Sequence, residues 1–192
     1  MKQALVSLLP EPFAGYVRGL WDELAARFNL HGVAAAPFPH FTWLLVDEID
    51  AADAALLFSR WKLLSAVQPS FTIRATGLSV FTGPRPVIYI PIVKSPTLID
   101  LHTRLWQITH THAPTLDQLY APAHWMPHIT LAVEDITLAQ LPELLADLTY
   151  RSFTWEIPLD QLTVFEQVQT TWTPARELPL LPPPDRLLET TP

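Results

Sequence analysis

Two short segments of the chain carry the same residue types in the same order. Pro39-His40-Phe41-Thr42-Trp43 and Pro127-His128-Ile129-Thr130-Leu131 both read Pro-His-apolar-Thr-apolar, 88 positions apart. At this composition such a pentapeptide arises by chance about 0.02 times per chain, so two copies are not expected from chance. In a strand, alternate side chains share a face. His40 and Thr42 then point one way, and Phe41 and Trp43 the other. His128 and Thr130 share a face in the same manner, opposite Ile129 and Leu131. The apolar set anchors each strand, while His and Thr face a groove about 7 Å apart along the strand. The leading Pro cannot donate to a ladder and suits a strand start. Two facing imidazoles suit phosphoester chemistry. One, neutral, takes a proton from water or a hydroxyl; the other, protonated, gives one to the leaving oxygen. Threonine hydroxyls can donate to phosphate oxygens.

The elements that must position these pairs follow from periodicity and punctuation. Strands are expected at Ala4 to Leu9, Phe38 to Val46, Phe71 to Val80, Pro86 to Val93, His128 to Val133, Phe153 to Ile157 and Leu162 to Val168. Helices are expected from Pro12 to Leu30, from an Asp50 or Asp53 cap to Val67, from Ser95 with Pro96, and from Thr137 to Leu148. Short turns join consecutive strands, which favours an α+β domain with antiparallel or mixed sheets over a doubly wound one. The division is one domain over 1–173 and a Pro-rich tail over 174–192, extended or disordered.

At the two His-x-Thr copies the sequence resembles the 2H phosphoesterase superfamily. Pro-His-Ile-Thr-Leu is similar to the motif of its 2′-5′ RNA ligase-like and cyclic phosphodiesterase members. The resemblance implies a bilobal, pseudo-twofold α+β fold, with two antiparallel sheets lining a central groove and helices outside. It implies His40 and His128 as the acid and base and Thr42 and Thr130 as phosphate binders. It implies a substrate with a 2′,3′-cyclic phosphate or a 2′-5′ linkage, in a nucleotide or RNA terminus, and no metal or cofactor. The first copy departs by having bulky Phe41 and Trp43 where smaller aliphatics are common.

Other constellations are weaker. Trp125 and Phe38 are candidates for stacking on a nucleobase, with Tyr120 also nearby; Trp43 should face the core by alternation. Arg74, Arg85, Lys94 and Arg104 are candidates for flanking phosphates, although such residues are more often solvated surface charges. His102, His110, His112, His124 and His128 invite a metal hypothesis. Pro114 and Pro127 break the helical geometry that would converge them. A non-catalytic nucleotide or RNA-end binding module using the same groove is the alternative reading.

Composition bounds these readings. The 192 residues hold 12 Lys+Arg and 19 Asp+Glu, a net charge of -7. Between Arg60 and His110, six basic residues face one acid, which leaves +5 there and -12 elsewhere. The acidic total disfavours coating of long nucleic acid, but not a terminal phosphate held locally. Zero Cys removes disulfides, thiolate metal sites and Cys nucleophiles. No glycine-rich phosphate loop is present. No run approaches the ~18 apolar residues of a membrane span, and no signal peptide is read at Met1-Lys2-Gln3-Ala4. A cytoplasmic monomer without membrane association is expected.

Overall fold

The computed structural model describes residues 1–113 and 115–182. It shows an α+β fold with antiparallel sheets, as expected. The first strand, β1 (Gln3–Leu8), leads into helix α1 (Phe13–Phe28) and a 3₁₀ turn (Gly32–Ala35). Strand β2 (His40–Val46) and helix α2 (Ala51–Ser65) follow. Next come β3 (Phe71–Ala75), β4 (Ser79–Phe81), β5 (Val87–Pro91) and helix α3 (Pro96–His112). A second 3₁₀ turn (Gln118–Tyr120) precedes β6 (His128–Ala132). Helix α4 (Leu141–Thr149) and strands β7 (Trp155–Leu159), β8 (Gln161–Val168) and β9 (Thr171–Pro179) complete the chain.

Helix boundaries follow local chemistry. Asp50 caps α2 by accepting from the Asp53 N–H at 2.8 Å, and the Ser95 hydroxyl caps α3 by accepting from Leu98 N–H. Helix α1 ends where Asn29 turns left-handed at φ 57°. Its buried face, Val17, Leu20, Leu24 and Phe28, has helical spacing. Each such side chain contributes about 1.5–3 kcal/mol when fully removed from water.

Sheet order is β2-β1-β8-β9 in one half and β4-β5-β6 in the other, with β3 paired to β7. The last two units join: Thr76 N–H reaches Pro91 O and Val93 N–H reaches Arg74 O. Both His-bearing strands are therefore sheet edges, and β2 lies against β6. The helices are exchanged between halves. Helix α1 follows β1 but packs on β6, and α3 follows β5 but packs on β2. This exchange gives the two halves their pseudo-twofold relation.

Three expectations are corrected. The run Phe71 to Val80 is two strands, because Gly77 at φ 80° turns the chain between them. The last helix begins at Leu141 rather than Thr137, because Thr137 to Gln140 forms its own turn, with Thr137 N–H and hydroxyl both donating to Gln140 Oε1. The 173/174 boundary falls inside β9, whose pairing to β8 continues to Pro179. Pro183 and Pro184 of the tail lie outside the described residues. No helix among the described residues is long and apolar enough to cross a membrane.

Candidate active site

The two motifs occupy matching positions in matching strands. On β2, His40 pairs with Leu8 and Thr42 with Val6. On β6, His128 pairs with Pro91 and Thr130 with Tyr89. A bulge then follows each Thr. Leu5 pairs with Leu44 and Val6 with Thr42, so Trp43 is the extra residue. Ile88 pairs with Ala132 and Tyr89 with Thr130, so Leu131 is the extra one. Burial follows the predicted alternation: His40, Thr42, His128 and Thr130 are half-buried, whereas Phe41, Trp43, Ile129 and Leu131 are buried.

Each imidazole is held by the same local contact. His40 Nδ1 lies 2.5 Å from the Phe38 carbonyl oxygen, and His128 Nδ1 lies 2.6 Å from that of Met126. A carbonyl can only accept, so Nδ1 carries the proton in the neutral ring. The lone pair is thereby placed on Nε2. The entering chain is held equally: Leu9 N–H donates to Pro39 O at 2.9 Å, and Ile92 N–H to Pro127 O at 3.0 Å.

Burial holds the His40 pKa below the ordinary histidine value; the Phe38 carbonyl opposes this, and the charge of His128 lowers it further. Burial likewise lowers the His128 pKa, opposed by the Met126 carbonyl.

The surroundings differ on the two sides. Beside His40, Phe165 stands 5.2 Å away, and Phe38 meets Phe165 edge-on at 5.9 Å. With Ala4, Val6, Leu8 and Trp172 they form an apolar cluster on the groove face of the sheet. Beside His128, Phe81 and Tyr89 each lie 5.0 Å away. A cavity of about 400 Å³ opens there, lined by Phe81, Leu119, Tyr120, His124, Trp125, Met126 and His128. The Tyr120 phenol sits beside the Thr42 hydroxyl; burial, with the nearby Asp117 charge, pushes its pKa up to about 12. It stays a neutral hydroxyl.

Phe38 remains half-buried beside His40. Trp125 does not stay open. It is 2% exposed, stacked on His102 at 3.7 Å and on Trp43 at 5.5 Å, with its indole N–H donated to Thr42 O at 3.0 Å. The packing that seats β2 covers most of the ring, although Trp125 still lines the cavity beside His128. Phe81, Tyr89, Phe165 and Trp172 line the groove without a sequence signal of their own. Tyr89 and Phe165 reach it through pairing with Thr130 and Ala4, distant in the chain, and Phe81 and Trp172 join them across the β4–β5 and β8–β9 hairpins. The basic candidates are largely engaged: Arg74 meets Glu156 at 3.9 Å, Arg85 meets Glu134 at 2.6 Å and Arg104 meets Asp100 at 2.9 Å. Among the described residues, no group of three or more His, Asp or Glu side chains is placed to hold a metal ion. His102 is buried against Trp125, whereas His110 and His124 are exposed.

Comparison with known proteins decides the family. The family model described as the 2′-5′ RNA ligase superfamily matches residues 9–171. The chain belongs to the 2′-5′ RNA ligase superfamily. That places it among the 2H phosphoesterases, as the two motifs led us to expect. Solved structures share the fold. TT0787 of Thermus thermophilus matches with TM-score 0.71 at 17% identity, over 94% of this chain and 98% of that one. LigT of E. coli, crystallised with 3′-AMP, matches with TM-score 0.60 at 18% identity, over 93% and 96%. Usb1 of Kluyveromyces marxianus matches with TM-score 0.54 at 10% identity, over 93% and 98%. No curated protein matches the chain. Within the superfamily, phosphoesterase chemistry is the general activity.

Proposed function

We propose that this protein opens 2′,3′-cyclic phosphates or cleaves 2′-5′ phosphodiester linkages of nucleotides or RNA ends, with His40 and His128 as the acid–base pair. The observation that carries this reading is the duplicated ring anchor: each imidazole has Nδ1 held by the carbonyl two residues earlier, on two strands that lie against each other. The neutral ring accepts a proton from the attacking water at Nε2. The protonated ring donates from Nε2–H to the leaving oxygen. A P–O bond to water forms as the P–O bond to the ribose oxygen breaks, giving a phosphomonoester. The Thr42 and Thr130 hydroxyls donate to the non-bridging oxygens as charge grows there. This chemistry needs no metal, because proton transfer supplies both activation and departure. The apolar cavity beside His128 and the half-buried Phe38 beside His40 supply surfaces for the base and sugar. The match to LigT with 3′-AMP supports a ligand of nucleotide size.

The test is hydrolysis of 2′,3′-cyclic nucleotides in the presence of chelator. Unmodified protein should turn over, and His40→Ala and His128→Ala should each lose about 10²–10⁴-fold in kcat. Thr42→Val and Thr130→Val should each lose about 10²-fold. Full activity in either His variant overturns the mechanism. Binding of the cyclic nucleotide, weakened by the Thr substitutions but without turnover, would establish the binding module instead.

A further inference from the structure

Two indoles hold the two motifs, and they do so reciprocally. Trp125, in the segment before β6, donates its N–H to the Thr42 carbonyl at 3.0 Å. Trp21, on α1 and in the sequence half of the first motif, donates to the Thr130 carbonyl at 3.1 Å. Each tryptophan therefore comes from the half that carries one motif and grips the Thr of the other. The gripped carbonyl precedes the bulged residue in both strands, Trp43 in β2 and Leu131 in β6. A bulge interrupts ladder pairing at that point. An edge strand also has no neighbour in its sheet on its outer side.

The surrounding contacts repeat the same crossing. The chain before β6 pairs with the end of β2, through the Val46–Leu116 bridge and Asp117 N–H to Leu45 O at 3.0 Å. The chain before β2 clasps the end of β6, where Asp135 accepts from the backbone N–H groups of His31 and Gly32. These ties lie at strand ends. The indole bonds alone among these contacts act at the Thr residues themselves.

We propose that Trp21 and Trp125 are positioning residues that set the spacing and mutual orientation of the two His-x-Thr pairs across the groove. The inference rests on the reading of those pairs as the reacting groups. Each indole fixes the backbone of a Thr whose strand also carries the His two residues before it. A slip at one carbonyl shifts hydroxyl and imidazole together relative to the opposite pair. Proton transfer at two ends of one phosphoryl group is sensitive to such a shift, since a misplacement of about 1 Å can cost about 10²-fold.

The experiment replaces Trp21 or Trp125 with benzothienylalanine, which keeps the ring shape but has sulfur in place of N–H. The control is the same replacement of Trp61, whose N–H meets Thr109 Oγ1 at 3.0 Å in a buried contact between α2 and α3. With a 2′,3′-cyclic nucleotide, kcat should fall about 10–100-fold at positions 21 and 125, with KM within about twofold. The control should lose thermal stability comparably and keep its kcat. A second readout does not need turnover. Histidine proton NMR titration should show His40 and His128 as a coupled pair, and the separation of their apparent pKa values should shrink in the 21 and 125 variants alone. Unchanged kcat and unchanged coupling at either position overturns the brace, as does an equal fall in the Trp61 control. Absence of turnover in the unmodified protein overturns the proposed function instead; the titration then decides the brace by itself.

Discussion

His128 Nδ1 lies 2.6 Å from the carbonyl oxygen of Met126, and this one contact fixes which nitrogen of the ring can do chemistry. The same relation holds between His40 and Phe38. With Nδ1 committed, proton exchange with a substrate falls to Nε2 in both rings. Burial lowers both pKa values, and the charge of His128 further lowers that of His40.

The pH dependence follows in sign. The proposed mechanism needs one ring protonated and one neutral. Both rings hold protons only below their depressed values, and neither does well above them. The bell of kcat/KM should therefore centre on the acid side of the ordinary histidine value of about 6.5. A bound phosphate anion favours the charged rings, so the kcat profile should shift toward alkaline pH relative to kcat/KM. Steady-state rates between about pH 4 and 9 check this; a kcat/KM bell centred above about 7 contradicts it.

A third histidine governs acid stability. His102 is 1% exposed and stacked on Trp125, and burial brings its pKa down to about 4, with Lys94 adding to the effect. Its folded value lies below the unfolded one, so the unfolded chain binds the extra proton. The contribution is full above about pH 6.5 and is lost as pH falls toward 4. Urea unfolding at about pH 7 and about pH 4.5 should show a steeper loss for the unmodified protein than for His102→Phe, which keeps a ring against Trp125. Equal losses would contradict the linkage.

Gly32 shows how closely the two halves meet. A Cβ there would stand 1.8 Å from Val133 O and 2.8 Å from Val133 C, both backbone atoms at the end of β6. Backbone cannot yield as a side chain does. Gly32→Ala should destabilise by about 2–4 kcal/mol, read by urea unfolding. Gly19→Ala is the comparison: nothing lies within 4 Å of its Cβ, and an alanine in mid-helix should be neutral or stabilising. Comparable stability of the two variants would refute the close approach.

Much of the site was legible because its signal is local. Alternation along a strand is a property of consecutive residues, so the shared face of His40 and Thr42, and of His128 and Thr130, follows from spacing alone. The burial of Trp43 followed from the same rule. Duplication of the motif carried the resemblance to the family, and that resemblance implied the pseudo-twofold architecture. Other features depend on residues far apart in sequence. Trp125 has the composition of a stacking platform, and only its packing between Trp43 and His102 shows that most of its ring is already covered. Arg85 belongs to a basic stretch, yet its partner Glu134 lies 49 positions away.

The sequence by itself determined the residue types of the two motifs, their alternation and their repetition. Tertiary structure decided the geometry, through the exchange of α1 and α3 between halves, the two bulges, and the indoles of Trp21 and Trp125 on the opposite motifs. The physical reason is range. Strand alternation is set by the backbone within a few residues, whereas hydrogen bonds and ring packing across the groove exist only after distant segments have been brought together.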